Sequence, residues 1–262
     1  MGIVNVTPDS FSDGGRHNSR VRAIAHAHRL LEEGADILDL GGESTRPGAA
    51  DVSEAEEADR VLPVLEALVP AGVPISIDTS KPGLMRAALA AGASIINDVR
   101  ALAELGAVEA VTAADCGVVL MHMQGQPRTM QVAPHYDDLM GDVARFLAAR
   151  RDALEAAGVA RERIALDPGF GFGKTPEQNF RLVAQAQVFA ELGCPLLYGL
   201  SRKSSLGVVT GREVSERLAA SVAGALISVQ SGAHVVRVHD VAATVDALKI
   251  WRAIEEQKGN AV

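Results

Sequence analysis

Short apolar segments alternate along the chain with longer amphipathic stretches. The apolar segments are rich in Val, Ile and Leu and lack a clean alternation of polar and apolar positions, which is typical of parallel strands buried on both faces. We predict strands at Ile3–Val6, Ile37–Leu40, Pro74–Ile77, Ser94–Ile96, Val118–Met121, Arg163–Leu166, Leu196–Leu200 and Val235–Val238.

The stretches between these segments carry apolar residues at helical spacing, which predicts amphipathic helices. The apolar stripes are Val21, Ile24, His28 and Leu31; Leu139, Val143, Phe146 and Leu147; Leu218, Val222, Leu226 and Val229; and Val241, Val245, Leu248 and Trp251. Strands that alternate with helices throughout 262 residues favour an α/β fold, a (β/α)8 TIM barrel that forms a single domain over residues 1–262.

A weak internal repeat places polar residues at the ends of predicted strands. In each copy a glycine precedes the strand and a polar residue follows five positions after the glycine. The pairs are Gly34 and Asp39, Gly92 and Asn97, and Gly232 and Arg237. One such residue alone is best interpreted as a hydrogen-bonding strand end or helix cap. Several together predict a site, because the carboxyl ends of barrel strands form the catalytic face.

Composition narrows the classes of ligand and compartment. The net charge of -8 disfavours nucleic acid and anionic membranes, so an anionic ligand needs a local group of donors. Cys116 and Cys194 lie far apart in apolar surroundings, which predicts reduced, buried thiols. No apolar run reaches membrane-spanning length and no basic segment precedes the first strand, so we expect a cytoplasmic protein without a signal peptide.

Polar segments after the first two predicted strands are candidate phosphate loops. Asn5 ends the first strand and offers an amide oxygen, which suits a phosphate-bound Mg²⁺ or simply braces the loop that follows. After the second strand, the Gly41–Gly48 segment combines glycines, which allow close approach of the backbone, with donors from Ser44, Thr45 and Arg46. The alternative is a flexible turn with a solvated arginine; the position on the predicted catalytic face favours the phosphate site.

Carboxylates and an amide end the middle strands. Asp78 and Asn97 follow the third and fourth strands, and Asp167 follows the sixth. The segment that Asp167 opens superficially suggests a nucleotide P-loop, but Pro168 stands where that motif needs glycine. Asp167 instead suits a flat heterocycle with adjacent donors, while Phe172 either packs on that ring or belongs to the core.

Cationic residues follow the last two strands. Lys203 comes after the seventh strand, and Arg237 and His239 end the eighth, where barrels commonly bind phosphate. A period of two places Arg237 and His239 on the same side of the strand, so His239 is predicted to contact a ligand rather than to fill the core. A Schiff-base role for Lys203 has no special support. The acids, amides and cations together predict a site for a flat heterocycle joined to a phosphate-type group.

Taken in order, these segments resemble the dihydropteroate synthase family of pterin-binding barrels over essentially the whole chain. The matching segments are Asn5–Gly15, Gly42–Gly48, Asp78–Lys81, Asn97–Asp98, Met121–Met123, Asp167–Lys174, Ser201–Lys203 and Arg237–Asp240. The resemblance implies condensation of 6-hydroxymethyl-7,8-dihydropterin diphosphate with 4-aminobenzoate, which yields 7,8-dihydropteroate and diphosphate in folate biosynthesis. It also implies Mg²⁺, inhibition by sulfonamides that mimic aminobenzoate, and a homodimer to which Trp251 and the late helices contribute. Family members usually carry a short segment before the first strand that closes the barrel bottom, and this sequence departs from that pattern by starting at Met1-Gly2-Ile3.

The same resemblance implies roles for individual residues. The pterin set is Asp78, Asn97, Met121, Asp167 and Lys203. The diphosphate set is Asn5, Thr45, Arg46, Arg237 and His239, with Mg²⁺ near Asn5. The aminobenzoate set is Thr45, Pro47, Phe172, Ser201 and Lys203. The catalytic set is Asp13, Asp78, Asp167, Lys203, Arg237 and His239. Within that set, Asp13 lies with Phe11 on the first loop and helps to stabilise a cationic pterin centre.

Other functions remain open at this point. A methyltetrahydrofolate methyltransferase also binds a pterin but would not need the Arg237 and His239 cluster. A non-enzymatic relative would lack one or more site residues, and all those named are present. An unrelated barrel aldolase would act through Lys203, so borohydride trapping of a substrate on that lysine would support it.

Overall fold

The computed structural model describes residues 1–7, 15–44, 51–126 and 129–259, with residues 15–18 and 259 described by their backbone alone. The strands within these ranges each overlap a segment predicted from the sequence. They are Gly2–Asn5 (β1), Leu38–Gly41 (β2), Ile75–Asp78 (β3), Ile95–Asp98 (β4), Gly117–Met121 (β5), Ile164–Asp167 (β6), Leu197–Tyr198 (β7) and Val235–Val236 (β8).

Helices separate the strands. They are Gly15–Glu32 (α1), Glu54–Leu68 (α2), Pro82–Ala90 (α3), Ala107–Thr112 (α4), Leu139–Ala156 (α5), Pro176–Ala184 (α6), Gln187–Ala190 (α7), Ser204–Thr210 (α8), Leu218–Gln230 (α9) and Val241–Gly259 (α10). The glycines of the internal repeat, Gly34, Gly92 and Gly232, have φ of 97°, 107° and 105°, the left-handed region that ends helices. Among the described helices, none has both the length and the apolar composition of a membrane span.

The strands close into a parallel ring. β1 to β6 pair in sequence order, and β7 pairs with β8. Parallel bridges join these two sheets at both borders, between Leu166 and Leu196 and between Gly2 and Val238. At the second border the Ile3 N–H also donates to the Val238 carbonyl at 3.0 Å. This order confirms the predicted α/β barrel.

The register of β1 to β4 brings their polar ends to one level. Asn5 pairs with Gly41, Gly41 with Asp78, and Asp78 with Asn97. Because the carboxyl ends of parallel barrel strands share one face, residues scattered along the sequence stand on the same rim.

Two helices bury a different face from the one predicted. The buried residues are Ala23, Ala27 and Leu30 in α1, and Ser221, Ala225 and Ser228 in α9. Val21 and Leu218, which the apolar stripes included, are 52% and 48% exposed. Small residues let these helices pack closely on the barrel, and a pattern that follows large apolar residues misses them. The predicted stripe of α5 is correct, since Leu139, Val143 and Leu147 are buried.

Candidate active site

A buried group of charged side chains occupies the carboxyl end of the barrel. Arg237, directly after β8, donates from Nε to Asp39 Oδ2 at 2.6 Å and from Nη2 to Asp78 Oδ2 at 3.0 Å. Burial lowers the pKa of Arg237, but Asp39 and Asp78 raise it by more, so the guanidinium stays charged. Burial raises the pKa of Asp78 to about 7 against the opposing effect of Arg237. The group therefore contains a carboxyl that titrates near neutrality.

Amide side chains border this charged group. Asn97 is buried, and its Nδ2 points toward both carboxylate oxygens of Asp39, at 3.5 and 3.4 Å. Asn5 and Asp78 lie on either side of Gly41. A β-carbon on Gly41 would lie 4.0 Å from Asn5 Oδ1 and 3.9 Å from Asp78 Oδ2. Glycine at this position keeps a gap between two side-chain oxygens.

Lys203 shares a glycine neighbour with Arg237. A β-carbon on Gly199 would lie 3.9 Å from the Lys203 Nζ and 3.7 Å from the Arg237 Cβ. The Lys203 ammonium donates to the Phe170 carbonyl and lies 4.5 Å from the centre of the Phe172 ring. Burial lowers the pKa of Lys203 to about 8, while nearby carboxylates oppose that shift. The side chains of Lys203 and Arg237 therefore lie close together beside Gly199, just after β7.

Asp167 ends β6 and is held by the loop that follows. Its Oδ1 accepts a hydrogen bond from the Gly169 N–H at 2.7 Å, and Met121 is its partner on β5. Burial raises the pKa of Asp167, and the positive charge of Lys203 is the largest opposing effect. Asp167, Met121 and Lys203 thus belong to the same end of the barrel, as predicted.

An apolar wall borders the charged group. It consists of Val99, Met121, Met130 and Phe172, which form a buried cluster separate from the main core. Because Phe172 also contacts Lys203, the wall faces the cationic part of the site. Methionine and aromatic side chains provide a polarisable surface that suits a flat ring. Sequence reasoning named Met121 and Phe172 but missed Val99 and Met130, which lie in segments without a motif.

His239 contacts Ser201 at the ends of β7 and β8. The backbone N–H of His239 donates to the Ser201 Oγ at 3.2 Å, and the ring Nδ1 of His239 lies 3.0 Å from the same oxygen. Ser201 is buried, whereas His239 is partly exposed. The serine therefore orients the imidazole at the end of the barrel where a phosphate group was predicted.

Several predicted residues cannot be placed by the structure. Asp13, Thr45, Arg46 and Pro47, and also Phe11, lie outside the described residues, so their roles stay predictions. In the other direction, Asp39 is a buried partner of Arg237 to which sequence reasoning gave no role. Asp39 is nevertheless the polar residue of the repeat copy that begins at Gly34, and this repeat is the sequence feature that could have identified it.

The described donors fit a metal that arrives with a phosphate group. In the ranges that the structure covers, no group of three or more His, Cys, Asp or Glu side chains could hold a metal ion. Asn5 and Asp78 offer oxygens on either side of Gly41. Mg²⁺ usually keeps several waters and binds through one or two protein oxygens plus phosphate. The described oxygens of Asn5 and Asp78 therefore suit a Mg²⁺ ion that a diphosphate also coordinates.

Comparison with known sequences identifies the family. The family described as “Pterin binding enzyme” matches residues 1–239. The chain belongs to the pterin-binding enzyme family. Among its curated members, dihydropteroate synthase from Escherichia coli (strain K12) is 51% identical over 261 residues, which cover 99% of this chain and 93% of the relative.

Solved structures of pterin-binding enzymes share the fold. Xanthomonas albilineans dihydropteroate synthase with 4-aminobenzoic acid matches with a TM-score of 0.93 and 56% identity, over 97% of this chain and 92% of that chain. Yersinia pestis dihydropteroate synthase, solved as a sulfonamide drug complex, matches with a TM-score of 0.93 and 50% identity, over 98% of this chain and 94% of that chain. These matches confirm the resemblance drawn from the sequence and the TIM-barrel fold.

Proposed function

We propose that the protein condenses 6-hydroxymethyl-7,8-dihydropterin diphosphate with 4-aminobenzoate to give 7,8-dihydropteroate and diphosphate in folate biosynthesis. It is then a transferase that moves a dihydropterinylmethyl group to an arylamine. The relatives that it resembles carry the name dihydropteroate synthase, which fits this reaction. The observation that carries the proposal is the meeting of buried carboxylates, two cations and an apolar wall on one rim of the barrel.

The pterin ring suits the carboxylate side of the site. A pterin carries neighbouring N–H donors, and ionised Asp78 and Asp167 are acceptors for such donors. It also carries ring acceptors, for which Asn97 and Lys203 supply N–H groups. Met121 and the rest of the apolar wall offer a surface to the face of the ring.

The diphosphate suits the cationic side of the site. Asn5, Arg237 and His239 would contact it, and Thr45 and Arg46 are predicted to complete those contacts. The Arg237 guanidinium places positive charge where the leaving group gains negative charge, and the His239 imidazole offers a ring N–H donor there. Mg²⁺, held near Asn5 through phosphate oxygens, would supply further neutralisation of that charge.

The transfer exchanges a C–O bond for a C–N bond. The bond between the pterin methylene and the diphosphate breaks, and its electron pair leaves with the diphosphate. The positive charge left behind spreads into the dihydropterin, where Asp78, Asp167 and the predicted Asp13 stabilise it. The amine nitrogen of 4-aminobenzoate then bonds to the methylene carbon and releases a proton.

The aminobenzoate suits the neighbourhood of Phe172, Ser201 and Lys203, with Thr45 and Pro47 as predicted neighbours. The Phe172 ring offers an aromatic contact, and the Lys203 ammonium lies beside that ring. Sulfonamides that mimic aminobenzoate would compete for the same place.

A diphosphate-release assay with and without 4-aminobenzoate and Mg²⁺ tests this function. We expect full turnover with all components, 7,8-dihydropteroate in equal amount to diphosphate, and loss of turnover in Lys203→Ala and Asp167→Asn. A folded wild-type protein that forms no dihydropteroate would overturn the proposal. Methyl transfer without diphosphate release would favour the methyltransferase instead.

The order of bond changes has its own test. A heavy-oxygen label is placed in the bridge between the methylene carbon and the phosphorus. If the C–O bond breaks first, the label will scramble into non-bridging positions of substrate recovered during turnover. A label that stays in the bridge would indicate that the amine adds before cleavage.

A homodimer through the late helices is also part of the proposal. Apolar side chains that are more than half exposed concentrate on α8, α9 and α10: Val208, Val209, Ile227, Ile250 and Ile254. Exposed apolar patches on soluble domains commonly mark interfaces, and Trp251 lies on the same segment. Sedimentation equilibrium of the wild type and of Val209→Asp with Ile250→Asp tests this. We expect a dimer and a monomer respectively, and a monomeric wild type would overturn it.

The cytoplasm is the compartment that we propose. Cys116 and Cys194 are both buried free thiols, as expected where disulfides do not persist. Fractionation of the source cells with an antibody against the protein measures its location directly.

A further inference from the structure

We propose that Lys174 positions the glycine-rich loop of residues 168–173 and thereby sets where Phe172 and Lys203 meet the pterin ring; this inference rests on the function proposed above. Lys174 is 2% exposed, so it has no direct access to a substrate. It acts through the loop and is a positioning residue.

The Lys174 ammonium uses all three of its hydrogen-bond donors within the protein. Its Nζ lies 3.0 Å from the Gly169 carbonyl, the Phe172 carbonyl and the Nδ1 of His122. Burial lowers the pKa of His122 to about 3, so the imidazole is neutral and its Nδ1 can accept. Burial also lowers the pKa of Lys174, to about 7, while the negative charge of Asp167 opposes that shift.

The loop forms one backbone hydrogen bond within itself, from the Phe172 N–H to the Gly169 carbonyl at 3.1 Å, and its other hydrogen-bonded carbonyls take donors from outside. Gly169, Gly171 and Gly173 have φ of 76°, 85° and 63°, and this alternation with other residues leaves no regular ladder of backbone hydrogen bonds. A buried carbonyl without a donor is costly. Lys174 supplies donors to two loop carbonyls, and Lys203 supplies one to a third.

The loop is pressed against the end of β5. A β-carbon on Gly169 would lie 1.8 Å from the His122 carbonyl oxygen, and a β-carbon on Gly173 would lie 2.5 Å from the Gln124 carbonyl oxygen. Both oxygens belong to the residues that follow β5. The Tyr136 hydroxyl donates to the Gly173 carbonyl at 2.9 Å. The Lys174 ammonium links the two segments, because it contacts His122 after β5 and the Gly169 and Phe172 carbonyls of the loop. We expect the loop to shift relative to β5 when this ammonium is lost.

The loop presents two contacts to Lys203. The Phe170 carbonyl accepts from the Lys203 ammonium, and the Phe172 ring lies 4.5 Å from it. The loop also holds Asp167 through the Gly169 N–H. A displacement of the loop therefore moves several pterin contacts together, and small displacements at a reacting site are expensive in rate.

Lys174→Met tests the inference, because methionine keeps the approximate length and removes the ammonium. We expect kcat/KM for the pterin diphosphate to fall by about 10- to 100-fold, mainly through a higher KM. The inhibition constant of inorganic diphosphate is expected to stay unchanged, because Arg237 is held by Asp39 and Asp78, and the His239 imidazole contacts Ser201, all of which lie outside the loop.

Arg163→Met is the matched control. Arg163 donates to the Cys116 and Ala114 carbonyls at 2.6 and 2.7 Å, at the opposite end of the barrel. Its loss also leaves backbone carbonyls without a charged donor, so we expect lower stability with an unchanged KM. If Lys174→Met does not fold, Tyr136→Phe is the second variant. It removes the single hydroxyl that donates to the Gly173 carbonyl of the loop, and we expect it to raise the KM for the pterin diphosphate as well.

The outcomes separate this inference from the proposed function. An unchanged KM in folded Lys174→Met or in Tyr136→Phe, or an equal rise in Arg163→Met, overturns the role of Lys174. Absence of turnover in the wild type overturns the proposed function instead. Calorimetric titration with the pterin diphosphate then decides the inference without turnover: weaker binding in the loop variants supports it, and equal binding overturns it.

Discussion

Arg237 and the fully buried Asp39 form an ion pair across the barrel, with 2.6 Å between Nε and Oδ2, although 198 positions separate them in the chain. Asp39→Asn keeps the shape of the side chain and leaves Arg237 with Asp78 as its remaining carboxylate partner. Because the variant removes one of the two carboxylates that hold the largely buried guanidinium, we expect the free energy of unfolding to fall by about 2 kcal/mol. We also expect kcat/KM for the pterin substrate to fall by about tenfold as Arg237 shifts. Urea unfolding and steady-state kinetics measure these effects.

Asp240→Asn is the control for that variant. It removes one partner of the Arg202–Asp240 ion pair at the same end of the barrel. Arg202 is exposed, so solvent screens the pair and its loss is expected to cost less than about 1 kcal/mol. Equal losses of stability in the two variants would count against a distinct role for the Asp39–Arg237 pair.

Asp78 makes stability depend on pH below neutrality. Its pKa rises from 3.8 to about 7 on folding, so between these pH values the folded chain binds more protons than the unfolded chain. The stability that this group contributes is full below about pH 4 and declines as the pH rises toward 7. In Asp78→Asn the titration is absent, so the free energy of unfolding of the variant relative to the wild type should rise across this window. Urea unfolding at a series of pH values measures the difference, and a flat or falling difference would contradict it.

Gly41 and Gly42 are adjacent, yet alanine is expected to act differently at each. A β-carbon on Gly41 would make only ordinary contacts, the nearest at 3.7 Å, so stability changes little. It would occupy the gap between Asn5 and Asp78, so we expect the Mg²⁺ concentration for half-maximal rate to rise. A β-carbon on Gly42 would lie 2.7 Å from the Val61 side chain, and the strain is expected to cost about 1–3 kcal/mol. Metal titrations and urea unfolding separate the two, and an unaltered metal requirement in Gly41→Ala would refute the first expectation.

Phe170 and Phe172 offer a second pair of neighbours with opposite roles. Phe170 is fully buried and packs edge-to-face on Phe180 at 5.8 Å, so Phe170→Ala is expected to lower stability by about 3–5 kcal/mol. Phe172 belongs to the apolar wall, so Phe172→Ala is expected to raise the KM of the substrates by up to about tenfold, with a smaller loss of stability. Thermal unfolding and kinetics distinguish them. The idea fails if Phe172→Ala keeps both KM values.

The barrel and most of its rim were predictable from the sequence because strand burial and strand ends follow local rules. Parallel strands buried on both faces have continuous apolar composition, and several end at a hydrogen-bonding residue such as Asp78 or Asp167. Once the order of strands is known, parallel topology brings those ends to one face. The prediction of several strands was offset by a residue, as at β3, where Asp78 belongs to the strand itself.

Other features depend on which elements meet in space, and no local pattern contains that information. Asp39 acquires its role from Arg237, which arrives from the last strand. Val99 and Met130 belong to the apolar wall only because the loops after β4 and β5 meet Phe172. The buried face of α1 carries small residues such as Ala23 and Ala27, which an apolar stripe does not reveal.

The glycine-rich loop beside Asp167 also limits how this part of the molecule can change by mutation. Any side chain at Gly169 or Gly173 would collide with backbone oxygens, which cannot turn aside as a side chain can. A substitution that weakens the binding of an inhibitor but keeps the protein active therefore has few possible positions in this loop. Compounds that anchor on Asp167 and the adjoining backbone would leave a narrow set of escape mutations.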